Sequence, residues 1–458
     1  MKKINYILIT ALAVTLSSCN IYKAYEMPTD NAYVNTYAES AAAQPDSTSL
    51  PFLSWRQIFT DPILQGYIET ALANNKDIDN AVKNIDIANA QLKGAKLSYL
   101  PAVALNPNGG AAKYGEGKMD TWTYTIPMSI SWEIDLFGKI LNRKRGAKVT
   151  VEQMEDYRQA VQSQVICGVA SCYYSLMLLN QQLDLTERTS VIWKDQVESM
   201  KLMKEAGWVN EAAVVQSEAN YWSIMSSIPD IKHGIHQMQN TMALLLHSYP
   251  REYEVSNDMS FNLPDNLTSG VPMTYLAARP DVRAAERGLA AAYYSTNSAR
   301  AAFYPGLTIS SNGGFTNLLG SIVSNPGKWF IQLAGSLAAP LFSRGQNIAN
   351  LEVAKAKQQQ ALNNFEVSVL SASADVSDAL ATYKYNTEKR EFLVKQIENL
   401  EKSVEYTQEL LTLDQKTTYL EVLTARSSLL NAQLASLTAW HSKVSALISL
   451  YQSVGGGR

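Results

Sequence analysis

The 458-residue sequence predicts a membrane protein of mixed α-helices and β-strands, built from two copies of one unit. Three observations predict this class. One segment alternates apolar and polar residues with the period of a strand, and a much longer segment carries an apolar stripe with the period of a coiled coil. Short motifs also recur about 205 residues apart, which indicates that the chain repeats one order of helices and strands.

The alternating segment runs from Thr121 to Asp135 and reads TWTYTIPMSISWEID. Apolar residues, among them Trp122, Tyr124 and Trp132, take one set of alternate positions, and mostly Thr, Ser and acidic residues take the other. At about 3.3 Å per residue this strand would be roughly 50 Å long, whereas strands of soluble sheets average about 5 to 6 residues. A strand this long, apolar on one face only, is typical of the wall of a membrane barrel.

The repeated motifs indicate an internal duplication. The motif Asn-Lys-Asp-Ile at 75–78 matches Arg-Pro-Asp-Val at 279–282, which lies 204 residues later. The offset has grown to 208 between the motifs at 213–215 and 421–423. The drift has a single direction, as small insertions within a duplicated unit would produce.

Each repeat is predicted to hold a helix, a hairpin of two strands, a very long helix and a shorter helix. The hairpins are expected at about 102–135 and 306–341. The predicted domains are a signal peptide at 1–18, an extended lipidated segment at 19–60, a first repeat at 61–248, a linker at 249–271, a second repeat at 272–452 and a tail at 453–458.

The helices are predicted from caps, breakers and periodicity. Asp61 is a typical N-cap before a proline, and the helix that follows can continue to about Leu97 before Pro101 stops it. A stripe of mostly apolar residues with alternating steps of three and four runs from Ile348 to Leu411, so this long helix is expected to pack as a coiled coil. Its counterpart is predicted at 139–206, and turns are expected at Gly207 and at 416–418.

Four strands with one apolar face cannot close a barrel, because closed membrane barrels start at about eight strands. Each unpaired backbone group in hydrocarbon would cost several kcal/mol. A homotrimer supplies twelve strands, with Trp122, Tyr124, Trp132 and Trp329 facing lipid and the Ser/Thr faces toward water. The alternative is a long soluble ribbon that packs on its own helices.

The N-terminus has the pattern of a secretory signal peptide, with Lys2 and Lys3 before an apolar run at 4–16 that is too short to span a bilayer. Leu-Ser-Ser-Cys at 16–19 resembles the bacterial lipobox, so Cys19 is predicted to become the acylated first residue of a lipoprotein. The alternative is an ordinary signal peptide in which the cysteine is incidental.

Several classes of chemistry lack support in the sequence. The formal net charge of −3 argues against a nucleic-acid partner, and neither a phosphate-binding loop nor a nucleophile elbow is found. His233 and His236 can share a helix face, but no ligand cluster accompanies them, so they are interpreted as solvated residues. Cys167 and Cys172 lie five apart in a predicted helix and are expected to be buried thiols. We therefore expect no enzyme, no metal site and no cofactor.

In order and spacing, four further stretches make the chain similar to the TolC-like outer-membrane efflux proteins, specifically the lipoprotein branch that serves resistance-nodulation-division pumps. The resemblance covers nearly everything after Cys19. It is carried by WRQIFTDP at 55–62 with ALANN at 71–75, WEIDLFG at 132–138, RPDVRAAE at 279–286, and YLEVLTA at 419–425.

The resemblance implies a trimer in the outer membrane of a Gram-negative bacterium, with a twelve-stranded barrel continued by a long periplasmic α-helical barrel and an equatorial belt. It implies a passive exit duct for drugs, other small toxic compounds or metal ions. The implied partners are a periplasmic adaptor protein and an inner-membrane resistance-nodulation-division pump, beside outer-membrane lipid. A duct for type I protein secretion and a non-conducting coiled-coil structural lipoprotein are the alternatives.

The resemblance also implies a pore constriction at the periplasmic tip. Glu421 occupies the acidic position of a Leu-Asp-Val-Leu type motif, and Thr424 occupies a position where a second acidic residue is usual. Thr417, in the turn before them, completes the predicted constriction. For Glu421 the alternative is an exposed carboxylate at a helix start, near the positive end of the helix dipole.

Overall fold

The computed structural model describes residues 22–28, 35, 37–39, 53–112, 121–259, 277–316, 328–340, 343–413 and 419–457. The chain divides into two compact units. The strand unit comprises Met1–Thr29, Lys83–Asp156 and Arg283–Val367, and the helix unit comprises Asp30–Val82, Tyr157–Val282 and Ser368–Arg458. The predicted signal peptide at 1–18, Cys19, the turn at 416–418 with Thr417, and most of the predicted linker lie outside the described residues.

The elements alternate between helices and strands in an order that the chain repeats. In the first half they are α1 (Trp55–Ile58), α2 (Pro62–Asn74), α3 (Lys76–Leu97), β1 (Ala102–Leu105), β2 (Asn108–Ala112), β3 (Thr121–Ile134), α4 (Lys139–Glu205) and α5 (Glu211–Leu245). In the second half they are α6 (Pro280–Ala301), β4 (Gly306–Thr316), β5 (Lys328–Ala338), α7 (Gln346–Leu413) and α8 (Tyr419–Ser453). The described helices include none that is both long and apolar enough to cross a bilayer.

The first predicted helix starts as expected but is two helices. Asp61 caps α2 by accepting a hydrogen bond from the backbone N–H of Ile63 (2.8 Å), and Pro62 is the first helical residue. The prediction of one continuous helix to Leu97 is wrong, because Asn75 adopts an extended conformation between α2 and α3. Its side-chain oxygen accepts from the backbone N–H of Asp77 (2.9 Å), so Asn75 caps a new helix instead of continuing the old one.

The strands form one antiparallel sheet in the order β1–β3–β4–β5, with β2 also paired to β3. Ala102 pairs with Ser131 and Asn108 pairs with Thr125, so β1 and β2 follow one register along β3. Pro107 lies between them and has no N–H to donate, which explains the interruption. The predicted four strands per chain are therefore present, with the first of them divided into β1 and β2.

The long helix α7 packs along the predicted stripe. Phe365, Val369, Ala372, Ala379 and Leu393 all belong to that stripe, and all are buried. The stripe therefore predicted correctly which side of this helix packs on its neighbours.

The last helix of each repeat ends in the same hydrogen-bonded turn. His247 (φ 50°) follows α5 and Gly455 (φ 86°) follows α8, 208 residues later, both in the left-handed conformation. The backbone N–H groups of Ser248 and Gly456, the next residues, reach back five positions to carbonyls at the same distance of 2.9 Å. This pair of Schellman turns repeats the offset found in the sequence motifs.

Candidate functional site

One face of the sheet in the strand unit is apolar and exposed. Side chains of paired residues share a face, so Leu105, Met128 and Ile331 lie in one row that passes through Gly313. Apolar surface of this extent is not stable against water and indicates a lipid or protein environment. The exposed apolar side chains on this face are Val103, Leu105, Ile126, Met128, Trp132, Phe315, Trp329, Ile331, Leu333 and Leu337.

The opposite face of the sheet carries Ser, Thr, Asn or Gln at many of its positions, and most of the others are small Ala or Gly residues. Asn312 lies between Ser129 and Gln332 in one row. In another, the hydroxyls of Thr125 and Thr316 are 3.1 Å apart. A sheet with one apolar and one hydrophilic face suits a wall between hydrocarbon and an aqueous interior.

The predicted aromatic residues lie on the apolar face where their side chains are described. Trp329 is 73% exposed, and Trp132 is 40% exposed with its indole N–H donating to the carbonyl of Tyr99 (2.9 Å). Tyr124 lies on the same side of β3 and is partly buried. The backbone of Trp122 pairs with Ala111, while its side chain lies outside the described residues.

The sheet is open at both edges. No strand among the described residues pairs with the outer edge of β1 and β2 or with the outer edge of β5. Between the edges, Pro127 of β3 faces Gly314 of β4, where a side chain would approach the carbonyl oxygen of Ile126 to 2.1 Å. Glycine therefore allows a proline within a central strand.

The start of α8 is held by a small cluster in the helix unit. Tyr419 is 6% exposed, and its hydroxyl lies 3.1 Å from that of Ser217 on α5. The buried members of the cluster are Trp193, Met200, Val214, Tyr419 and Leu423. These contacts fix which side of the first turn of α8 faces outward.

Glu421 and Thr424 both lie on the outward side of α8 and are exposed. Glu421 is in the first turn, and within the described ranges its carboxylate forms no ion pair. The hydroxyl of Thr424 donates to the carbonyl of Leu420 (2.7 Å), one turn back. Thr417, the third predicted constriction residue, lies outside the described residues, so only two of the three are brought together.

The N-terminal segment at 22–28 packs in the strand unit, a contact that sequence reasoning missed. The backbone N–H of Tyr25 donates to the hydroxyl of Tyr294 (3.1 Å), and Arg145 donates to the carbonyl of Tyr22 (3.4 Å). A side chain at Gly138, just after β3, would meet the Tyr22 ring at 3.7 Å. The chain thus reaches the end of the sheet three residues after Cys19. The tyrosines that follow the lipobox could have indicated in the sequence that this segment packs against the protein.

Arg279, noted in the sequence only as part of a repeated motif, forms two ion pairs in the helix unit. Its guanidinium lies 2.7 Å from Asp281 and 2.9 Å from Asp375, and it donates to the carbonyl of Ser453 (3.3 Å). Burial raises the pKa of Asp281, but the hydrogen bond and charge of Arg279 outweigh it and hold that pKa below its ordinary value. The network joins the start of α6 to the end of α8.

The residues considered for metal or redox chemistry take structural positions. His233 and His236 are exposed on α5, as predicted. Cys167 and Cys172 are buried free thiols, also as predicted, and burial raises the pKa of Cys167 to about 12. Across the described part of the chain, no group of three or more His, Cys, Asp or Glu residues is placed to hold a metal ion.

Comparison with known proteins gives concordant matches over nearly the whole chain. A family model described as "Outer membrane efflux protein" matches residues 67–246 and 271–456, and these two regions confirm the internal duplication. The chain is 28% identical over 475 residues to the probable outer membrane lipoprotein SilC of Salmonella typhimurium, covering 100% of this chain and 99% of that protein. It is 26% identical over 456 residues to the cation efflux system protein CusC of Escherichia coli K12, covering 97% and 98%.

A solved structure supports the same fold. The open state of the MtrE outer membrane channel of Neisseria gonorrhoeae superposes on this chain with a TM-score of 0.78 at 26% identity, covering 95% of this chain and 97% of that chain. This likeness confirms the predicted fold class, in which two repeats each combine strands with very long helices.

Proposed function

The chain belongs to the outer membrane efflux protein family, and we propose that it is the outer-membrane channel of a three-part efflux system. It resides in the outer membrane of a Gram-negative bacterium. Its proposed task is that of a passive exit duct for drugs, other small toxic compounds or metal ions. The proposed partners are a periplasmic adaptor and an inner-membrane resistance-nodulation-division pump, which would supply the energy.

The observation that carries this proposal is the sheet with one exposed apolar face and two open edges. In hydrocarbon each unpaired backbone group on an edge would cost several kcal/mol, so the edges need partner strands. A second and a third copy of the chain supply them, since β5 of one copy can pair with β1 and β2 of the next until the ring closes. A homotrimer then has a wall of twelve strands, with the helices extending into the periplasm as an α-helical barrel.

A lipid anchor at Cys19 is part of the proposal. The support is the position of Tyr22 beside Gly138, at the end of the sheet from which the helices start. Because only two residues separate Cys19 from Tyr22, acyl chains on Cys19 would lie close to the adjacent leaflet. Mass spectrometry of the mature N-terminus tests this, and an unmodified residue other than Cys19 would contradict it.

Conductance and mass together test the channel. The purified full-length protein should conduct ions in planar bilayers and should have the mass of a trimer by native mass spectrometry in detergent. A non-conducting structural lipoprotein would give no single-channel steps. A monodisperse monomer or dimer that still conducts would rule out the trimer.

Glu421 is proposed to narrow and charge the pore at the periplasmic tip. Three-fold symmetry would bring three copies of this exposed carboxylate together, and like charges in a narrow mouth attract cations. Replacing it by glutamine should lower cation selectivity and weaken block by a trivalent cation added on the periplasmic side, with assembly intact. Because Thr424 adds no second charge, the block should be weaker than in a channel with two acidic rings.

The matched control is Glu398→Gln, which removes an exposed carboxylate from the interior of α7. It should leave selectivity and block as in the unmodified channel. If Glu421→Gln also leaves them unchanged, Glu421 is a solvated residue at a helix start and the constriction lies elsewhere.

A further inference from the structure

The register of the sheet places all four junctions between strands and helices at one end. Ala102, at the start of β1, pairs with Ser131 near the end of β3. Gly306, at the start of β4, pairs with Ala338 at the end of β5, and the end of β3 pairs with the start of β4. Helix α3 ends, α4 starts, α6 ends and α7 starts at this same end of the sheet.

These junctions carry a surplus of positive charge, although the whole chain has a formal net charge of −3. Within the segments 93–100, 133–148, 298–306 and 343–350 there are nine basic residues and only two acidic ones, Glu133 and Asp135. We call the basic residues the cationic collar; they are Lys93, Lys96, Lys139, Arg143, Lys144, Arg145, Lys148, Arg300 and Arg344.

Several residues of the collar form no ion pair with described residues of the protein. Lys93, Lys96, Arg143 and Arg344 are exposed, and none of them forms an ion pair with another described residue. Lys139 and Lys148, by contrast, are ion-paired, with Glu133 (2.9 Å) and Glu152 (3.7 Å). Several cations of the collar are therefore available to an external anion.

The collar adjoins the apolar face of the sheet. The ammonium of Lys144 lies 5.7 Å from the centre of the Tyr99 ring, and the carbonyl of Tyr99 accepts the indole N–H of Trp132. Trp132 belongs to the exposed apolar face, so a cation, a tyrosine and a tryptophan follow one another at its boundary. Aromatic and basic side chains in this order are typical of the level of lipid headgroups.

We propose that the cationic collar binds the phosphate groups of anionic phospholipids in the leaflet next to the helical end of the sheet. The inference rests on the outer-membrane channel proposed above, because it takes the apolar face as lipid-facing. Each basic residue near a membrane adds to the attraction for anionic headgroups, and the attraction falls off within a Debye length of about 10 Å at 0.1 M salt. Anionic lipid should consequently be enriched around the channel.

The test is the quenching of tryptophan fluorescence by brominated lipid, with the full-length protein in vesicles of phosphatidylcholine and brominated phosphatidylglycerol. Bromine on the acyl chains quenches only tryptophans in the hydrocarbon region, so quenching reports which lipid contacts the sheet. We expect a preference for phosphatidylglycerol over phosphatidylcholine of about three-fold at low salt, falling toward one as salt rises to about 0.5 M.

The decisive variant is Lys93→Gln/Lys96→Gln/Arg143→Gln, which neutralises three exposed residues without breaking an ion pair. Its preference should fall to less than half that of the unmodified protein. The control Lys389→Gln/Arg390→Gln/Lys395→Gln removes the same charge from exposed positions on α7 and should keep the preference.

Absence of a preference in the unmodified protein, or an unchanged preference in the collar variant, would overturn the inference. An equal loss in both variants would also overturn it, because net charge alone would then explain the preference. Conductance measured on the same preparations separates this inference from the proposed function. Channels that conduct but show no lipid preference would refute the binding of anionic lipid by the collar and leave the proposed channel function intact.

Discussion

The two repeats make the same connection with different chemistry. In the first repeat Asn75 precedes α3, and its amide donates to the carbonyl of Leu245 at the end of α5 (3.1 Å). In the second repeat Arg279 precedes α6, and its guanidinium donates to the carbonyl of Ser453 at the end of α8 (3.3 Å). Each repeat thus ties a helix start to the end of its own last helix.

The repeats differ in how the rest of the junction is satisfied. Asn75 supplies both the donor and the capping oxygen, which accepts from the N–H groups of Asp77 and Ile78, the latter equivalent to Val282. Arg279 supplies donors only, so the oxygen that accepts from Val282 comes from the carboxylate of Asp281. The duplication therefore retained the hydrogen-bonded positions. In the second repeat, Arg279 donates and Asp281 accepts, so two charged residues do what Asn75 alone does in the first repeat.

The helix ends show the second difference between the repeats. His247 and Gly455 occupy equivalent left-handed positions, but His247 is exposed, whereas Gly455 is buried against another segment. A side chain there would approach the carbonyl oxygen of Ala278 to 2.6 Å, next to Arg279. The second junction is therefore the more tightly packed, and its disruption should have the larger effect.

The largest effect is expected for Gly455→Ala, which should lower the free energy of unfolding by about 3 kcal/mol, because it combines backbone strain with a collision against backbone. Thermal unfolding followed by circular dichroism in detergent measures it. The matched change His247→Gly should instead stabilise by about 1 kcal/mol, since glycine relieves the strain of a left-handed histidine. Equal effects at both positions would show that the two junctions are packed alike.

Arg279→Met is expected to lower the free energy of unfolding by about 2 kcal/mol. The change removes the donor to Ser453 and leaves the carboxylates of Asp281 and Asp375 without their ion-pair partner, although water can reach both. The same thermal measurement applies. The control Arg56→Met breaks an exposed pair with Glu69 and should cost less than about 0.5 kcal/mol. A similar cost for both variants would contradict the structural role of Arg279.

Asn75→Ala is expected to cost about 1.5 kcal/mol, because it removes a helix cap and one buried hydrogen bond. Asn75→Asp separates the two contributions, since a carboxylate can cap α3 but cannot donate to Leu245. It should cost about 1 kcal/mol. If Asn75→Asp is as stable as the unmodified protein, the tie to α5 contributes nothing and capping alone explains the residue.

The smallest effect is a pH dependence confined to the second junction. The pKa of Asp281 in the folded protein is held below its ordinary value of about 3.9, so its contribution is present above that value and is lost as the pH falls below it. The stability difference between the unmodified protein and Asp281→Asn should therefore shrink between about pH 5 and pH 3. Its size is limited because the side chain of Asp281 is 49% exposed. A difference that stays constant over this range would contradict the pairing with Arg279.

Local patterns in the sequence determined the elements. Alternation over 121–135 predicted β3 to within one residue of its observed end at Ile134, and the stripe on α7 predicted its buried side, because both patterns are complete within one element. The motif offsets also predicted the duplication. Cys19 and Thr417 lie outside the described residues, and the pore roles of Glu421 and Thr424 stay predictions.

The contacts between groups far apart in the sequence follow from the packing of whole helices and strands. Nothing local to Arg279 indicates that its partners are Asp375, 96 residues away, and Ser453, 174 residues away. The sequence patterns likewise did not predict the break at Asn75, since the amide of this residue bonds to a carbonyl of α5. The cationic collar exists only because four separate segments meet at one end of the sheet. Periodicity reflects residues within a few turns of one another in the sequence, whereas these contacts depend on how complete helices and strands pack. At such contacts, burial and hydrogen bonding outweigh the helix propensity of the individual residues.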